Sequence, residues 1–236
     1  MQIPKWMIPI LSSGALPGCR RLVILALCCA VFAPAADTRH PITGRPYAGV
    51  MDVGGAQWLE RDQREQEEHP RLAVRLLELK PGQTVADVGA GSGYYTAIIA
   101  REVGPTGKVI ATDIQPGMIE LLRKRIERDK LTNVEAMLSA PGDPRLPENA
   151  LDLILLVDVY HEFSEPQLML RKLRAALKPG GRLVLLEFRK EDSTIPIRPE
   201  HKMSIAEVRA ELEPEGFRFD RVLNDLPWQH ILIFRK

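Results

Sequence analysis

Beyond residue 80 the chain alternates two kinds of apolar pattern. Short apolar runs ending at Val88, Asp113, Leu138, Val157 and Glu187 read as strands, and Leu151–Val157 is apolar enough for a central strand buried on both faces. Between them, apolar residues recur at helical spacing over Tyr94–Val103, Pro116–Lys130 and Glu165–Leu177. Pro116 suits a first helical turn, where its missing N–H costs nothing. Lys178-Pro179-Gly180-Gly181 stops the third of these helices. A last helix is expected over Ser204–Leu212, with Ser204 as N-cap and Glu207 completing a capping box. Two strands then fill Phe217–Lys236, parted near Asn224–Pro227.

Strands alternating with helices predict a parallel sheet joined by right-handed crossovers. The final pair has too short a connection for a crossover, so it must be antiparallel. Ahead of this block, residues 37–55 hold Pro41, Gly44, Pro46, Gly49, Gly54 and Gly55 and read as an extended lead-in. Residues 56–80 carry helical spacing broken at Pro70, which predicts a cap of two helices. The charged stretch from Glu60 to Glu68 is expected on the exposed face of the first.

The first 36 residues have a different composition. Arg20-Arg21 precede the apolar run Leu22–Ala33 and the small-residue site Ala33-Pro34-Ala35, the three parts of a secretory signal. That run is shorter than the roughly 20 residues a span needs, so cleavage near Ala35 or Ala36 is expected, with no membrane span left afterwards. The mature protein is then expected outside the cytoplasm, in the periplasm or beyond. All three cysteines (Cys19, Cys28, Cys29) lie in this leader, so the remainder has no thiol for disulfides, thiolate metal sites or nucleophilic catalysis. Losing Lys5, Arg20 and Arg21 changes the formal charge from +1 to −2. Nucleic acid is thereby disfavoured as a partner, and the arginines and lysines of residues 123–125 and 171–178 read as solvated helix faces.

The turn after the first strand carries the clearest chemistry. In Asp87-Val88-Gly89-Ala90-Gly91-Ser92-Gly93-Tyr94, three glycines at alternate positions allow a tight bend and close approach to a ligand. Asp113 ends the second strand, where a carboxylate can accept from both hydroxyls of a ribose. The spacing differs from the Gly-x-Gly-x-x-Gly of dinucleotide sites, and Asp87 would repel a pyrophosphate while favouring a cation.

This stretch resembles motif I of the class I S-adenosylmethionine-dependent methyltransferases. The resemblance implies a Rossmann-like α/β fold, a mostly parallel seven-stranded sheet with an antiparallel last strand and helices on both faces. It implies S-adenosyl-L-methionine as cofactor, and helices of the 56–80 kind lying over the cofactor mouth. The residues expected to bind the cofactor are Asp87, Gly89, Ala90, Gly91, Gly93, Tyr94, Asp113, Ile114, Asp143 and Asp158. Asp143, or the backbone amides beside it, would take the adenine amine.

Asp158-Val159-Tyr160-His161-Glu162-Phe163-Ser164-Glu165 resembles the His-Asp-Trp-Ser-Asp segment of plant-type small-molecule O-methyltransferases. There the histidine removes a hydroxyl proton and an acid at the end of the fifth strand assists it. By that resemblance His161 is the base and Glu187 the assisting acid, while Phe163 and Glu162 depart from the pattern and leave acceptor choice open. An imidazole with a pKa near 6.5 is suited to this work, and general-base help is worth about 10²–10⁴-fold. The alternative is that His161 packs beneath the cofactor and proximity alone serves, which can supply about 7–11 kcal/mol. No metal is expected. His161, His201 and Glu162 are conceivable ligands but lack a short ligand repeat. Trp228 reads as core or as a platform for a planar substrate.

The expected function is methyl transfer to a small-molecule acceptor at a hydroxyl oxygen. Two rivals stand beside it: an exported protein that binds S-adenosylmethionine or its product without catalysis, and a nicotinamide-dependent oxidoreductase, which the glycine spacing disfavours.

Overall fold

The computed structural model describes residues 38–236. The expected leader over residues 1–36, its three cysteines and the first residue of the lead-in lie outside the described residues.

The β-strands are β1 (Thr84–Val88), β2 (Lys108–Asp113), β3 (Val134–Leu138), β4 (Leu151–Val157), β5 (Leu177–Arg189), β6 (Lys202–Met203), β7 (Arg218–Leu223) and β8 (Gln229–Arg235). They form one sheet in the order β3-β2-β1-β4-β5-β8-β7, with β6 beside β5. Pairing is parallel from β3 through β5 and antiparallel where β8 meets β5 and β7. The central position of β4 explains its composition, because Leu151, Leu153, Ile154, Leu155 and Leu156 are all fully buried.

The sheet has eight strands where seven were expected. The addition is β6, two residues pairing in parallel with Phe188 and Arg189. It is possible because β5 runs beyond Glu187 to Arg189. β5 also starts early, at Leu177, and absorbs Lys178-Pro179-Gly180-Gly181 in an irregularity of its pairing with β4. Gly180, at φ 77°, supplies the left-handed conformation this bulge needs.

Helices cover both faces. On one, α6 (Pro166–Ala176) and α7 (Ile205–Leu212) bury Met169, Leu170, Leu173, Val208 and Leu212 against Ile154, Leu156, Leu183 and Leu185. Fully burying each large side chain contributes about 1.5–3 kcal/mol. α7 begins as expected, with Glu207 N–H donating to Ser204 Oγ (3.1 Å) and Ser204 N–H to Glu207 Oε2 (3.0 Å). On the other face α4 (Tyr94–Val103) packs Ala97, Ile99 and Val103 with Val85, Val109 and Leu155. α5 (Pro116–Arg128) covers the β2 side through Ile119 and Leu122.

The cap differs from expectation. It comprises three short helices, α1 (Ala56–Leu59), α2 (Arg64–Glu67) and α3 (Pro70–Leu76). Its charged stretch is solvated only in part: Glu60, Asp62, Gln63 and Gln66 are exposed, but Arg64 and Glu68 are buried. The Arg64 guanidinium lies over the rings of Tyr94 and Tyr95 at 4.7 and 5.2 Å and donates to Glu68 (2.8 Å) and the Leu59 carbonyl (2.8 Å). A planar cation with satisfied donors can be buried on aromatic faces in this way. Arg125 also leaves the expected solvated face. It donates to both Glu60 oxygens at 2.5 Å and to the Ser92 carbonyl at 2.9 Å, tying the cap to α5 and the glycine turn. Among the described residues no helix is long and apolar enough to cross a membrane.

Candidate active site

The turn between β1 and α4 is folded by its glycines. Gly89, Gly91 and Gly93 have φ values of 75°, 54° and 82°, a region that L side chains occupy only with strain. All three also lack room: a Cβ on Gly93 would lie 2.5 Å from Leu122 Cδ1. A Cβ on Gly89 would lie 2.4 Å from Val159 Cγ2, and one on Gly91 2.7 Å from Leu59 Cδ1. Gly89 and Ala90 donate their N–H groups to the Thr112 carbonyl at 2.8 and 2.9 Å, fixing the turn to the end of β2. Asp87 is buried behind this turn and accepts from Thr96 Oγ1 (2.5 Å). It therefore clamps β1 to the first turn of α4. Burial raises its carboxyl to about 6, which still leaves it mostly anionic at neutral pH.

Asp113 sits beside the turn at the end of β2. Its Oδ2 accepts from Gly91 N–H (2.9 Å) and its Oδ1 from Gln115 N–H (2.8 Å). Each oxygen keeps a further lone pair, which is what a ribose diol requires. Ile114 is 41% exposed, an apolar surface next to that carboxylate suited to packing on a nucleobase. Asp143 lies in the loop after β3, where it accepts from Arg145 N–H (2.8 Å) and so holds its own turn. Tyr94 opens α4 beneath the Arg64 and Arg125 guanidiniums. Asp158, at φ 50° just past β4, accepts from Gln229 Nε2 (2.6 Å) and has an unpartnered Oδ1. Burial, reinforced by Glu68 and Glu187, pushes its carboxyl well above the ordinary range, so it can donate to a bound group. These residues fit S-adenosylmethionine: a glycine turn, a diol acceptor, an apolar base platform, and arginines already engaged by Glu68 and Glu60.

A second group of side chains gathers at the ends of β4 and β5. The turn Tyr160–Glu162 carries His161, whose Nδ1 lies 2.6 Å from Glu187 Oε2 at the end of β5. Glu187 Oε1 also accepts from Tyr160 N–H at 3.1 Å. Both side chains are buried. Desolvation drives the imidazole down to about 3, helped by the Arg45 charge, and drives the carboxyl up to about 8. Both shifts favour the pair with no net charge. The far nitrogen of His161, Nε2, lies 3.2 Å from His201 Nδ1. His161, Glu162 and His201 each bring one donor atom into a cluster less than 4.8 Å across. Ligand-repeat spacing pointed away from such a grouping, because its members come from two separate loops.

The lead-in contributes what the sequence pattern did not reveal. Arg45 makes a bidentate pair with Glu211 of α7 at 2.9 and 3.0 Å and donates to the His161 carbonyl at 3.1 Å. Ala48 N–H reaches the same carbonyl at 3.1 Å, and His40 Nε2 lies 3.2 Å from Glu211. A segment expected to be merely extended is thus strapped across the turn that carries His161. The pairs are more than 160 residues apart in sequence, so no local spacing marks them.

Comparison with known proteins agrees with this geometry. The family described as "Methyltransferase domain" matches residues 79–224, more than half of the chain. The chain belongs to this family and is a class I S-adenosylmethionine-dependent methyltransferase. It is similar to a solved S-adenosylmethionine-dependent methyltransferase from Aquifex aeolicus, 31% identical with a TM-score of 0.75, over 79% of this chain and 99% of that one. It is also 36% identical over 121 residues to the ubiquinone/menaquinone biosynthesis C-methyltransferase UbiE of Salmonella arizonae. That match covers 51% of this chain and 48% of the relative, so the chain spans about half the length of the curated relatives it matches. The [4+2]-cyclase SpnF, at 18% identity and a TM-score of 0.60, shares the fold alone.

Proposed function

We propose that this enzyme methylates a hydroxyl oxygen of a small molecule, with His161 as general base and Glu187 as its positioning partner. The observation that carries the reading is the 2.6 Å contact between two buried groups beyond the carboxyl ends of adjacent parallel strands. Open α/β sheets present their reacting groups at such strand ends. Val159, two residues before His161, is in direct packing reach of Gly89, so the base turn and the cofactor turn adjoin.

When bound, S-adenosylmethionine supplies an electrophilic methyl group on a sulfonium. The acceptor hydroxyl gives its proton to His161 Nε2 while its oxygen forms the new C–O bond. The electron pair of the methyl–sulfur bond would remain with the cofactor as the neutral thioether. Glu187 accepts from Nδ1–H in the base-competent form, which fixes the tautomer and stabilises the imidazolium that results. The strap is bonded to the turn that carries His161, which suits a small acceptor better than a polymer.

A second reading places the methyl group on carbon, and the 36% identity to a C-methyltransferase favours it. In that case the same base would ionise a hydroxyl that activates the neighbouring carbon. Isotope-labelled S-adenosylmethionine and an acceptor found in cell extract, followed by NMR of the product, separate the readings. A label on oxygen supports the first and a label on carbon the second. We also propose that the mature enzyme acts outside the cytoplasm. Mass spectrometry of the native protein should then show an N-terminus near Ala36 or Asp37, and an intact leader contradicts export.

A further inference from the structure

We propose that His161 Nε2, His201 Nδ1 and a Glu162 carboxylate oxygen form a binding site for one divalent first-row transition-metal ion, Zn²⁺ foremost. Each of the three residues brings one donor atom within 4.8 Å of the others. Two nitrogens bound to one ion at about 2.0–2.1 Å stand roughly 2.9–3.4 Å apart for angles between octahedral and tetrahedral. The observed Nε2 to Nδ1 separation of 3.2 Å falls in that interval. Two imidazoles and one carboxylate are a donor set suited to zinc or iron, with positions left open for another ligand.

The surroundings have the form that metal-binding histidines require. Glu187 holds His161 Nδ1 at 2.6 Å, and binding of an ion at Nε2 would require the raised Glu187 carboxyl to lose its proton and accept from Nδ1–H, the carboxylate–histidine arrangement of metal sites. The His161 carbonyl is pinned by Arg45 and by Ala48 N–H, so the turn bearing two of the three ligands is braced. His161 is buried, whereas Glu162 and His201 are partly exposed, which gives an ion a route from solvent. Glu162 and His201 have no part in the base mechanism.

One consequence rests on the proposed function. Nε2 is the atom that would receive the acceptor's proton, so a bound ion and base action exclude each other. Occupancy then switches methyl transfer off, and removing the ion restores it.

The test uses the mature protein with Zn²⁺ and Co²⁺ as probes. Calorimetry and elemental analysis should give one ion per chain, and Co²⁺ should develop a ligand-field absorption band. Glu162→Gln and His201→Ala should each weaken binding at least about 100-fold, more than loss of an outer-shell partner costs. A rise in melting temperature with S-adenosylhomocysteine, retained in both variants, shows that they are folded. Absence of binding at millimolar Co²⁺, or equal binding in the folded variants, overturns the site while leaving the base role intact. Saturating Zn²⁺ should also block transfer to the acceptor in the wild type, with chelator reversing it. Binding without inhibition confirms the site and overturns His161 as the base.

Discussion

The two halves of this sheet are built by different means. The cofactor half, β1 to β3 with α4 and α5, is assembled from neighbours in sequence: a strand, a glycine turn, a helix, and an acid at the next strand end. Its turn is held partly through backbone, as when Asp113 accepts from Gly91 and Gln115. The acceptor half, from β4 to β8, is held by pairs of buried side chains from separate elements. Arg45 meets Glu211, His161 meets Glu187, and His201 meets His161. Buried charge is concentrated there. A site built from backbone keeps its ligand chemistry under substitution nearby, whereas a site built from buried charged pairs fails when one partner is lost.

The largest effect should follow from breaking the strap. Arg45→Met leaves the Glu211 carboxylate buried with only the Thr43 hydroxyl and His40, whose protonation burial disfavours, and loss of one partner from a buried pair costs about 3–5 kcal/mol. Chemical denaturation should show that loss. Amide exchange should place it first in α7 and residues 38–50, with β1 to β3 still protected. Uniform loss of protection would erase the distinction between the halves.

A smaller effect is expected in the cofactor half. Asp113→Ala removes the diol acceptor and leaves two backbone N–H groups of the turn unpaired. Hydrogen bonds to a charged group are worth about 1.5–3 kcal/mol, so affinity for S-adenosylhomocysteine should fall roughly 10–100-fold by calorimetry. An unchanged affinity removes Asp113 from the cofactor site.

The mildest effect concerns pH. His230, buried at the start of β8, is lowered to about 4 by desolvation, with Arg189 also lowering it and Glu191 opposing. An unfolded histidine takes up its proton near 6.5, so on acidification the unfolded chain binds protons before the folded one does. Its contribution therefore weakens stability as pH falls from about 6.5 towards 4. His230→Phe keeps the ring and removes the titration. The variant should lose less melting temperature than wild type between pH 7 and pH 5, and a parallel decline contradicts the assignment.

The same division decides what could be read from sequence. β4, α7 with its capping box, the glycine turn and Asp113 were legible because each is a local pattern of spacing. His161 and Glu187 were legible only through resemblance to a family segment, since nothing local links a turn after β4 to the end of β5. Arg45 and Glu211 gave no signal at all. The charged run from Glu60 to Glu68 was legible only in part: Glu60, Asp62, Gln63 and Gln66 face solvent as polarity implied, but Tyr94 and Tyr95 provide aromatic faces on which Arg64 is buried. The short strand β6 escaped because two residues carry no periodicity.

The most direct test of the acceptor half is His161→Ala, with turnover and S-adenosylhomocysteine affinity measured on the same metal-free preparation. The account predicts a fall in turnover of at least about 100-fold with the affinity nearly unchanged. A loss below tenfold, or a matching loss of affinity, would show that His161 serves the packing of the cofactor and is not the base.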